Sequence, residues 1–336
     1  MTQNIDSTKW RKVLDRIAYQ ESGHQDARIS HSRLRYMGNG ELRLPSALDA
    51  GYKVVKLNDF SSAQLNTQLQ VPTPYLQRLE ARNSKLATEL VNDALQSTGE
   101  TSFFRFSDDR VRGVLPKRMP SADNHAIVKA MDNVLSIGDH SFVVRATALD
   151  DNRFYLKILF DDEYRDQTGI VQGNYLKVGV VCRTSEIGHG QISVKPFVYR
   201  WSCTNDAVVA SDHAFSTRDF SLSQDELMNS VSSVVAYARS EAGRLASDML
   251  DTQQKTVTRP QALLQDLAKQ LTLSKTETKK LIKAYRDEPM PTRYGVAQAV
   301  TRYAQTLTLD ARDNMELVGG RLMSEPNVWT YRGITL

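Results

Sequence analysis

The chain has 336 residues, 40% hydrophobic and 24% charged, which suits one large domain or two ordinary ones and argues against global disorder. Its net charge of +4 permits nucleic acid as a partner but does not require it. No apolar run approaches the roughly 20 residues of a membrane helix, the first residues lack a signal-peptide stretch, and only two cysteines occur. We therefore expect a cytoplasmic protein with reduced, buried thiols and no membrane contact.

The first hundred residues predict a hairpin followed by helices. A Gly-Asn-Gly sequence at 38–40 lies between two short runs, which is typical of a hairpin turn. Asp59 or Ser61 is placed to cap a helix, and Pro74 suits the first turn of a second. A third helix is indicated at 84–96.

The central residues, 101–203, predict strands in antiparallel pairs. A strand, a turn at 108–109 and a second strand come first, and a helix with one apolar side, capped by residues 121–124, follows at 125–135. Further hairpins are indicated at 142–160 and at 174–203, where β-branched and aromatic residues alternate with polar ones around short turns.

The remainder of the chain is mainly helical. A long helix capped by Ser223 is expected to end near residue 250, and the polar segment 251–260 resembles a linker or a bend. Three helices then precede a short extended tail from Gly319. We predict an α+β fold: a central antiparallel sheet of hairpins backed by long helices, with a helical C-terminal region. The predicted domains are residues 1–100, 101–255 and 256–336.

No sequence motif identifies a reaction. The common phosphate-binding, dinucleotide-binding, zinc-protease, serine-hydrolase and CxxC patterns are absent, and the histidines lack metal-site spacing. We therefore predict no enzyme activity, no metal and no cofactor. Glu186 and His189, close together in a glycine-bearing turn, leave an acid/base pair open as an alternative, although polar residues are ordinary in turns.

The strands of the predicted central sheet each have an apolar face and a face that mixes rings with cations. Alternation in the strand at 153–160 places Leu156 and Ile158 opposite Tyr155 and Lys157. One face packs on helices, while the other can stack bases on rings and contact phosphates with Lys and Arg. A solvated or partly covered face explains the same pattern, because aromatic residues are favoured in strands whatever their role.

Basic residues also cluster outside these hairpins. An early cluster at 28–43 contains Glu41, and a later one at 105–118 is opposed by Asp108 and Asp109. Each is more often a solvated surface than a phosphate site, but together they make a basic groove credible. The members are Arg28, Arg33, Arg35 and Arg43 in the first cluster, and Arg105, Arg110, Arg112, Lys117 and Arg118 in the second.

Two segments, at 62–79 and 263–285, have helix–break–helix spacing. The second is the better match to a DNA-binding helix-turn-helix, because lysines decorate its later helix and can contact phosphates. Helical hairpins of this length are also common without any DNA role. The lysines are Lys275, Lys279, Lys280 and Lys283.

Three strings of the sequence, at 111–131, 181–209 and 292–305, together resemble a phage/plasmid-like protein family of unknown function (domain of unknown function 932). The sequence departs from the family pattern at Thr184, where Asn is usual, and at Asp206, where Gly is usual. It departs again at Pro116 and Met119 in the first string. The matching positions in the second string are Ser185, Glu186, Gly188, His189, Arg200, Cys203, Thr204 and Asn205.

The resemblance implies a product of prophages, plasmids or integrative elements, without a settled activity. The succession of helix, hairpins and long helix at 124–250 is more remotely similar to phage single-strand annealing proteins, but fold alone does not establish function. The matched arginine, cysteine and asparagine are equally explained as structural residues, which tie a turn, fill the core and cap the chain.

We therefore expect a nucleic-acid-binding protein of a mobile element, which binds or anneals single-stranded DNA in recombination or replication and forms a homo-oligomer. The alternative is a regulatory or protein-interaction factor, whose C-terminal helices contact duplex DNA or a protein partner. The candidate nucleic-acid-binding residues are Arg105, Arg112, Lys117, Arg118, Tyr155, Lys157, Lys177, Arg183, Lys195, Tyr199, Arg200 and Trp201.

Overall fold

The computed structural model describes residues 7–45, 51–116, 123–137, 141–150, 152–165, 175–200, 205–208, 214–217 and 222–324. Within these ranges the fold is α+β, as predicted, with two sheets that contain antiparallel hairpins and with helices packed against both. No helix among these residues is long and apolar enough to cross a bilayer.

Helix α1 (Ser7–Ser22) precedes the first sheet, which is built of β1 (His24–Ser30), β2 (Arg35–Gly38), β3 (Glu41–Pro45), β4 (Tyr52–Leu57), β5 (Thr101–Ser107) and β6 (Arg110–Pro116). A 3-10 turn at His31–Arg33 follows β1. The spatial order is β1-β5-β6-β4-β3-β2, and only the β4–β6 pair in this order is parallel. The strands β5 and β6 extend the sheet to Pro116, so the predicted boundary at residue 100 falls inside one hydrogen-bonded unit.

The predicted hairpin at 38–40 is confirmed, since β2 and β3 pair across it. Gly38, Asn39 and Gly40 have φ values of 93°, 52° and 74°. This left-handed backbone is easy for glycine and tolerated by asparagine, so the Gly-Asn-Gly sequence specifies the turn.

One face of the first sheet is covered by α2 (Asp59–Gln68), α3 (Thr73–Arg82) and α4 (Ser84–Ser97). The cap of α2 is Asn58 rather than the predicted Asp59 or Ser61: its Oδ1 accepts a hydrogen bond from Ser61 N at 2.7 Å. In return Asn58 N donates to Ser61 Oγ at 3.0 Å, which completes a capping box. Buried side chains in this layer include Leu42, Leu44, Val55, Leu65, Val91, Leu95, Phe104 and Phe106.

The second sheet is built of β7 (Phe142–Leu149), β8 (Phe154–Phe160), β9 (Tyr164–Arg165), β10 (Tyr175–Thr184), β11 (Ile192–Arg200), β12 (Asn205–Val208) and β13 (Phe215–Thr217). Its main order is β12-β11-β10-β8-β7, with β9 beside β10 and β13 beside β11. Both predicted hairpins, β7–β8 and β10–β11, are confirmed as antiparallel pairs.

One face of the second sheet packs on α1 and on α5 (Asn124–Leu135), α6 (Gln224–Ser240) and α7 (Ala242–Asp251). The predicted long helix from Ser223 is therefore two helices, which meet at Glu241. The apolar residues of the strands face this layer as alternation predicted. They include Phe154, Leu156, Ile158, Phe160, Leu176, Val178, Val180 and Cys182.

The opposite face of the second sheet is contacted by one of four C-terminal helices, which share a core of their own. These are α8 (Pro260–Gln270), α9 (Lys275–Asp287), α10 (Arg293–Ala304) and α11 (Leu309–Ser324). Leu317 of α11 packs against a buried cluster of Tyr155, Leu159, Val181, Phe197 and Tyr199 on the sheet. Helices thus lie on both faces of the second sheet.

The predicted extended tail from Gly319 is wrong up to Ser324, because α11 continues through both glycines. A Cβ at Gly319 would lie 2.4 Å from Thr301 Cγ2 and 3.4 Å from the Ala297 carbonyl oxygen, both on α10. Glycine therefore permits the close approach of two helices here, and does not mark a helix end.

We expect Gly319→Ala to lower the free energy of unfolding by about 1–3 kcal/mol, because α10 or α11 must shift to accommodate the methyl group. Gly243→Ala in α7 is the matched control, since its Cβ would meet only Tyr164, at 3.5 Å. Urea titrations of both variants measure the effect. Equal stability of the two variants would contradict the proposed close packing.

Candidate nucleic-acid interface

The predicted contact residues on the second sheet are largely buried. Lys157 is 1% exposed, and its Nζ lies 3.0 Å from Glu316 Oε2 on α11, where the glutamate side chain is 0% exposed. Lys177 Nζ lies 3.3 Å from Asp161 Oδ1. Arg200 Nη2 donates to Glu288 Oε1 at 2.7 Å. These cations are already neutralised by carboxylates of the same chain.

The aromatic residues of this face are also covered. Tyr155 and Tyr199 are buried in the cluster beneath Leu317, and the Arg183 guanidinium lies 4.8 Å from the Tyr155 ring centroid. Lys195 is half-buried, and burial, followed by the charges of Arg183 and Arg321, lowers its pKa.

The expectation of an open face on this sheet is therefore wrong, and the reason is the position of α11. Strand alternation distinguished the two faces correctly but did not show that a helix far along the chain covers the second one. A role of these side chains in nucleic-acid binding stays a prediction that requires α11 to move away. Lys117, Arg118 and Trp201 lie outside the described residues.

Arg105 and Arg112 are buried where the loop between β10 and β11 packs on the first sheet. Arg105 forms ion pairs with Asp26, at 2.9 Å, and with Asp123, and it donates to the Glu186 carbonyl oxygen at 2.9 Å. Arg112 Nη1 donates to Glu186 Oε2 at 3.0 Å. Both arginines therefore connect the two sheets.

The loop at 185–190 is fixed by further contacts with α2, which lies beside the first sheet, and with the first residue of α5. Asn124 N donates to Glu186 Oε1 at 2.9 Å, Gln64 Nε2 donates to the Ile187 carbonyl oxygen at 2.7 Å, and His189 stacks on Phe60 at 4.4 Å. Glu186 and His189 therefore each have a structural role, and their side chains contact different neighbours. An acid/base function of the two residues stays an untested alternative.

The other half of the first sheet presents an open face beside this loop. Alternate residues of β2, β3 and β4 point away from the helical layer, and strand pairing sets Arg35 beside Arg43 and Arg43 beside Val54. Two residues further along β3 and β4, strand pairing places Glu41 beside Lys56, and Lys56 lies beside Arg110 of β6. We call this surface the outer face; it comprises Arg35, Met37, Glu41, Arg43, Tyr52, Val54, Lys56 and Arg110.

The outer face combines exposed cations with exposed apolar side chains. Tyr52, Val54 and Met37 are 60%, 51% and 50% exposed. The Arg43 guanidinium carbon lies 4.4 Å from the Tyr52 ring centroid. The basic members of the outer face are all exposed, and no carboxylate among the described residues forms an ion pair with them.

Acidic groups partly offset this charge. Glu41 belongs to the outer face, and Asp108 and Asp109 are exposed in the turn that leads to Arg110. Lys56 N donates to the Asp109 carbonyl oxygen at 3.1 Å, which ties this turn to β4. The positive charge is therefore concentrated on the β2–β3 side, around Arg35 and Arg43.

Sequence reasoning identified Arg35 and Arg43 as part of a basic cluster but missed Tyr52 and Lys56. The available signal was the alternation in β4, where Tyr52, Val54 and Lys56 share one face while Val55 and Leu57 are buried. The early cluster is only partly assembled, because Arg28 lies on the far strand β1, 6.0 Å from the Phe103 ring.

The predicted helix–break–helix at 263–285 is confirmed as α8 and α9. Ser274 caps α9 in a capping box with Glu277. The helix exposes all four of the lysines named in the sequence: Lys275, Lys279, Lys280 and Lys283.

Cys182 is a buried free cysteine. Burial raises the pKa of the Cys182 thiol to about 12, which keeps it protonated and unreactive. No group of three His, Cys, Asp or Glu side chains in those ranges is arranged to hold a metal ion.

No protein-family model, curated protein or solved structure matches this chain. The resemblance of its three sequence strings to phage and plasmid proteins therefore stays a prediction.

We expect Glu316→Ala to lower the free energy of unfolding by about 3–5 kcal/mol, because it leaves the Lys157 ammonium buried without its carboxylate. Glu89→Ala removes an exposed pair with Lys85 and should cost at most about 0.5 kcal/mol. Chemical denaturation measures both. A loss of similar size in the two variants would contradict the importance of the buried pair.

Stability should also fall as the pH falls from about 7.5 to about 5.5. Burial lowers the pKa of His24; the charge of Arg112 lowers it further, and the charge of Glu186 raises it in part. Burial also lowers the pKa of His31, although the charge of Glu100 opposes this shift. The ordinary pKa of a histidine is 6.5. Below this pH the unfolded chain binds protons at these two histidines, whereas the folded chain does not.

Denaturation midpoints across this window test the pH dependence. The double variant His24→Gln, His31→Gln should show a smaller decline than the parent protein. A parent midpoint that is constant over the window would refute the proposed burial effect.

Proposed function

We propose that the protein binds single-stranded nucleic acid on the outer face of its first sheet. The observation that carries this proposal is the exposed Tyr52 ring, stacked with Arg43 among cations that have no carboxylate partner in the described chain. Single-strand binders use the same two components: rings that stack with bases and cations that contact the phosphate backbone.

The geometry of the outer face suits an extended strand of nucleotides. Neighbouring strands of a sheet lie about 4.8 Å apart, so Arg35 on β2 and Arg43 on β3 can contact one backbone while Tyr52 on β4 stacks with a base. Arg35 lies on β2, which is the last strand of the sheet among the described residues.

The sequence resemblance supports a biological setting for this binding. Three strings similar to phage and plasmid proteins favour a role with mobile-element DNA, in recombination or replication. Annealing of strands and assembly into a homo-oligomer belong to the same proposal.

Fluorescence polarisation with a labelled single-stranded oligonucleotide tests the binding at about 50 mM and about 200 mM salt. We expect a dissociation constant in the micromolar range or below at the lower salt, and weaker binding at the higher salt because counterions are released. Absence of binding at low salt, or binding without salt dependence, would refute the proposal.

Two variants locate the site. Tyr52→Ala should weaken binding about 5- to 150-fold, the equivalent of about 1–3 kcal/mol for one stacked base. Its control is Tyr75→Ala, which removes another half-exposed tyrosine, on α3. The double variant Arg35→Glu, Arg43→Glu should abolish binding at the higher salt. Its control is the double variant Lys275→Glu, Lys279→Glu on α9, which changes the net charge equally and should retain binding.

A second candidate function is contact with duplex DNA through α9, and the exposed lysines of that helix favour it. The same variants distinguish the two. Loss of binding to a duplex in Lys275→Glu, Lys279→Glu, with Arg35→Glu, Arg43→Glu unaffected, would assign the interaction to the C-terminal helices. Removal of the C-terminal region is a poor test, because Tyr294 and Glu316 are buried against the second sheet.

A further inference from the structure

A groove of about 280 Å³ lies between α1 and β7, outside the outer face and the loop at 185–190. Lys9, Lys12 and Arg16 of α1 line its rim. Val13 and Val144 contribute to its floor. None of the described residues that line the groove is acidic.

The sequence of α1 creates this arrangement. Trp10, Val13 and Ile17 are spaced to lie on one side of the helix, and all three are buried in the core of the second sheet. Lys9, Lys12 and Arg16 have the same spacing one position earlier, so they form a basic row directly beside the apolar stripe.

One contact holds the walls of the groove in place. Arg16 Nη2 donates to the Leu149 carbonyl oxygen at 2.9 Å, which joins α1 to the end of β7. The carbonyl is neutral, so this hydrogen bond does not compensate the charge of Arg16. Arg145 also belongs to the lining, but its Nη2 donates to the Tyr199 hydroxyl at 3.1 Å on the opposite face of the sheet, so its charge is directed away from the groove.

We propose that this groove binds a small amphiphilic anion, with a carboxylate, sulfonate or phosphate group on an apolar chain. The cations at the rim attract the anionic group, and the apolar floor removes the chain from water. The volume of about 280 Å³ lies at the lower end of ligand clefts, which fits a compact ligand rather than a long lipid.

The lining distinguishes this ligand from a nucleotide. Within the described part of the lining the one aromatic residue is Phe154, which is 1% exposed, so that part presents no ring for a base to stack on. An aliphatic chain needs only the aliphatic surface that Val13, Val144 and Leu149 supply.

Octanoate is a suitable probe, and calorimetric titration of the full chain measures its binding. We expect a dissociation constant on the order of 0.1 mM, since a ligand of about ten heavy atoms gains a few tenths of a kcal/mol or more for each. Octanamide, which has the same chain without the charge, should bind at least about tenfold more weakly.

Lys12→Glu should weaken octanoate binding at least about tenfold, because it places a carboxylate at the rim. Arg11→Glu is the matched control: it makes the same change of charge at an exposed position of the same helix that does not line the groove. Circular dichroism confirms that both variants fold.

Four outcomes would overturn the proposal. Three are the absence of octanoate binding, equal binding of octanamide, and equal effects of the two variants. The fourth is displacement of octanoate by a single-stranded oligonucleotide, which would make the groove part of a nucleic-acid surface. Because Lys12→Glu leaves the outer face unchanged, failure here is distinguishable from failure of the proposed function.

Discussion

The carboxylate of Glu186 lies at the junction of the two sheets, where its residue is 8% exposed and its charge requires compensation. Arg112 and the backbone N–H of Asn124 provide it, and Arg105 binds the carbonyl oxygen of the same residue. Groups from several elements bond this buried residue, so the relative positions of those elements are strongly constrained. Loss of one partner would leave a buried charged or polar group without compensation. The orientation of the loop at 185–190 on the first sheet depends on this set of contacts.

The same loop divides the outer surface of the first sheet. It covers the part near β5 and β6, where Gly113 leaves room for Ile187: a Cβ there would lie 2.7 Å from the Ile187 Cβ. The strands β2, β3 and β4 lie beyond its reach and keep their outward side chains exposed. The candidate interface is therefore the part of the sheet that neither the helices nor the second sheet needs to cover.

Sequence patterns predicted the fold class and the local elements better than they predicted which faces are open. The hairpins at 38–40 and in the second sheet follow from turn residues and alternation, both of which are local signals. The cover over Lys157 comes from a residue 159 positions away, and alternation in a strand carries no information about such a partner. The sequence patterns did not predict β4, because Lys56 and Tyr52 interrupt its short apolar run. These two residues belong to the candidate interface.

The distance along the chain between Lys157 and Glu316 also affects how the protein is made. During synthesis the second sheet leaves the ribosome before α11 exists, so one face of that sheet is exposed, with Tyr155, Phe197 and the Lys157 ammonium not yet covered by α11. Such a surface is a natural target for chaperones and for premature association of nascent chains. Ribosomes that stall before α11 should therefore release a product that aggregates, and quality control of this protein depends on completion of α11.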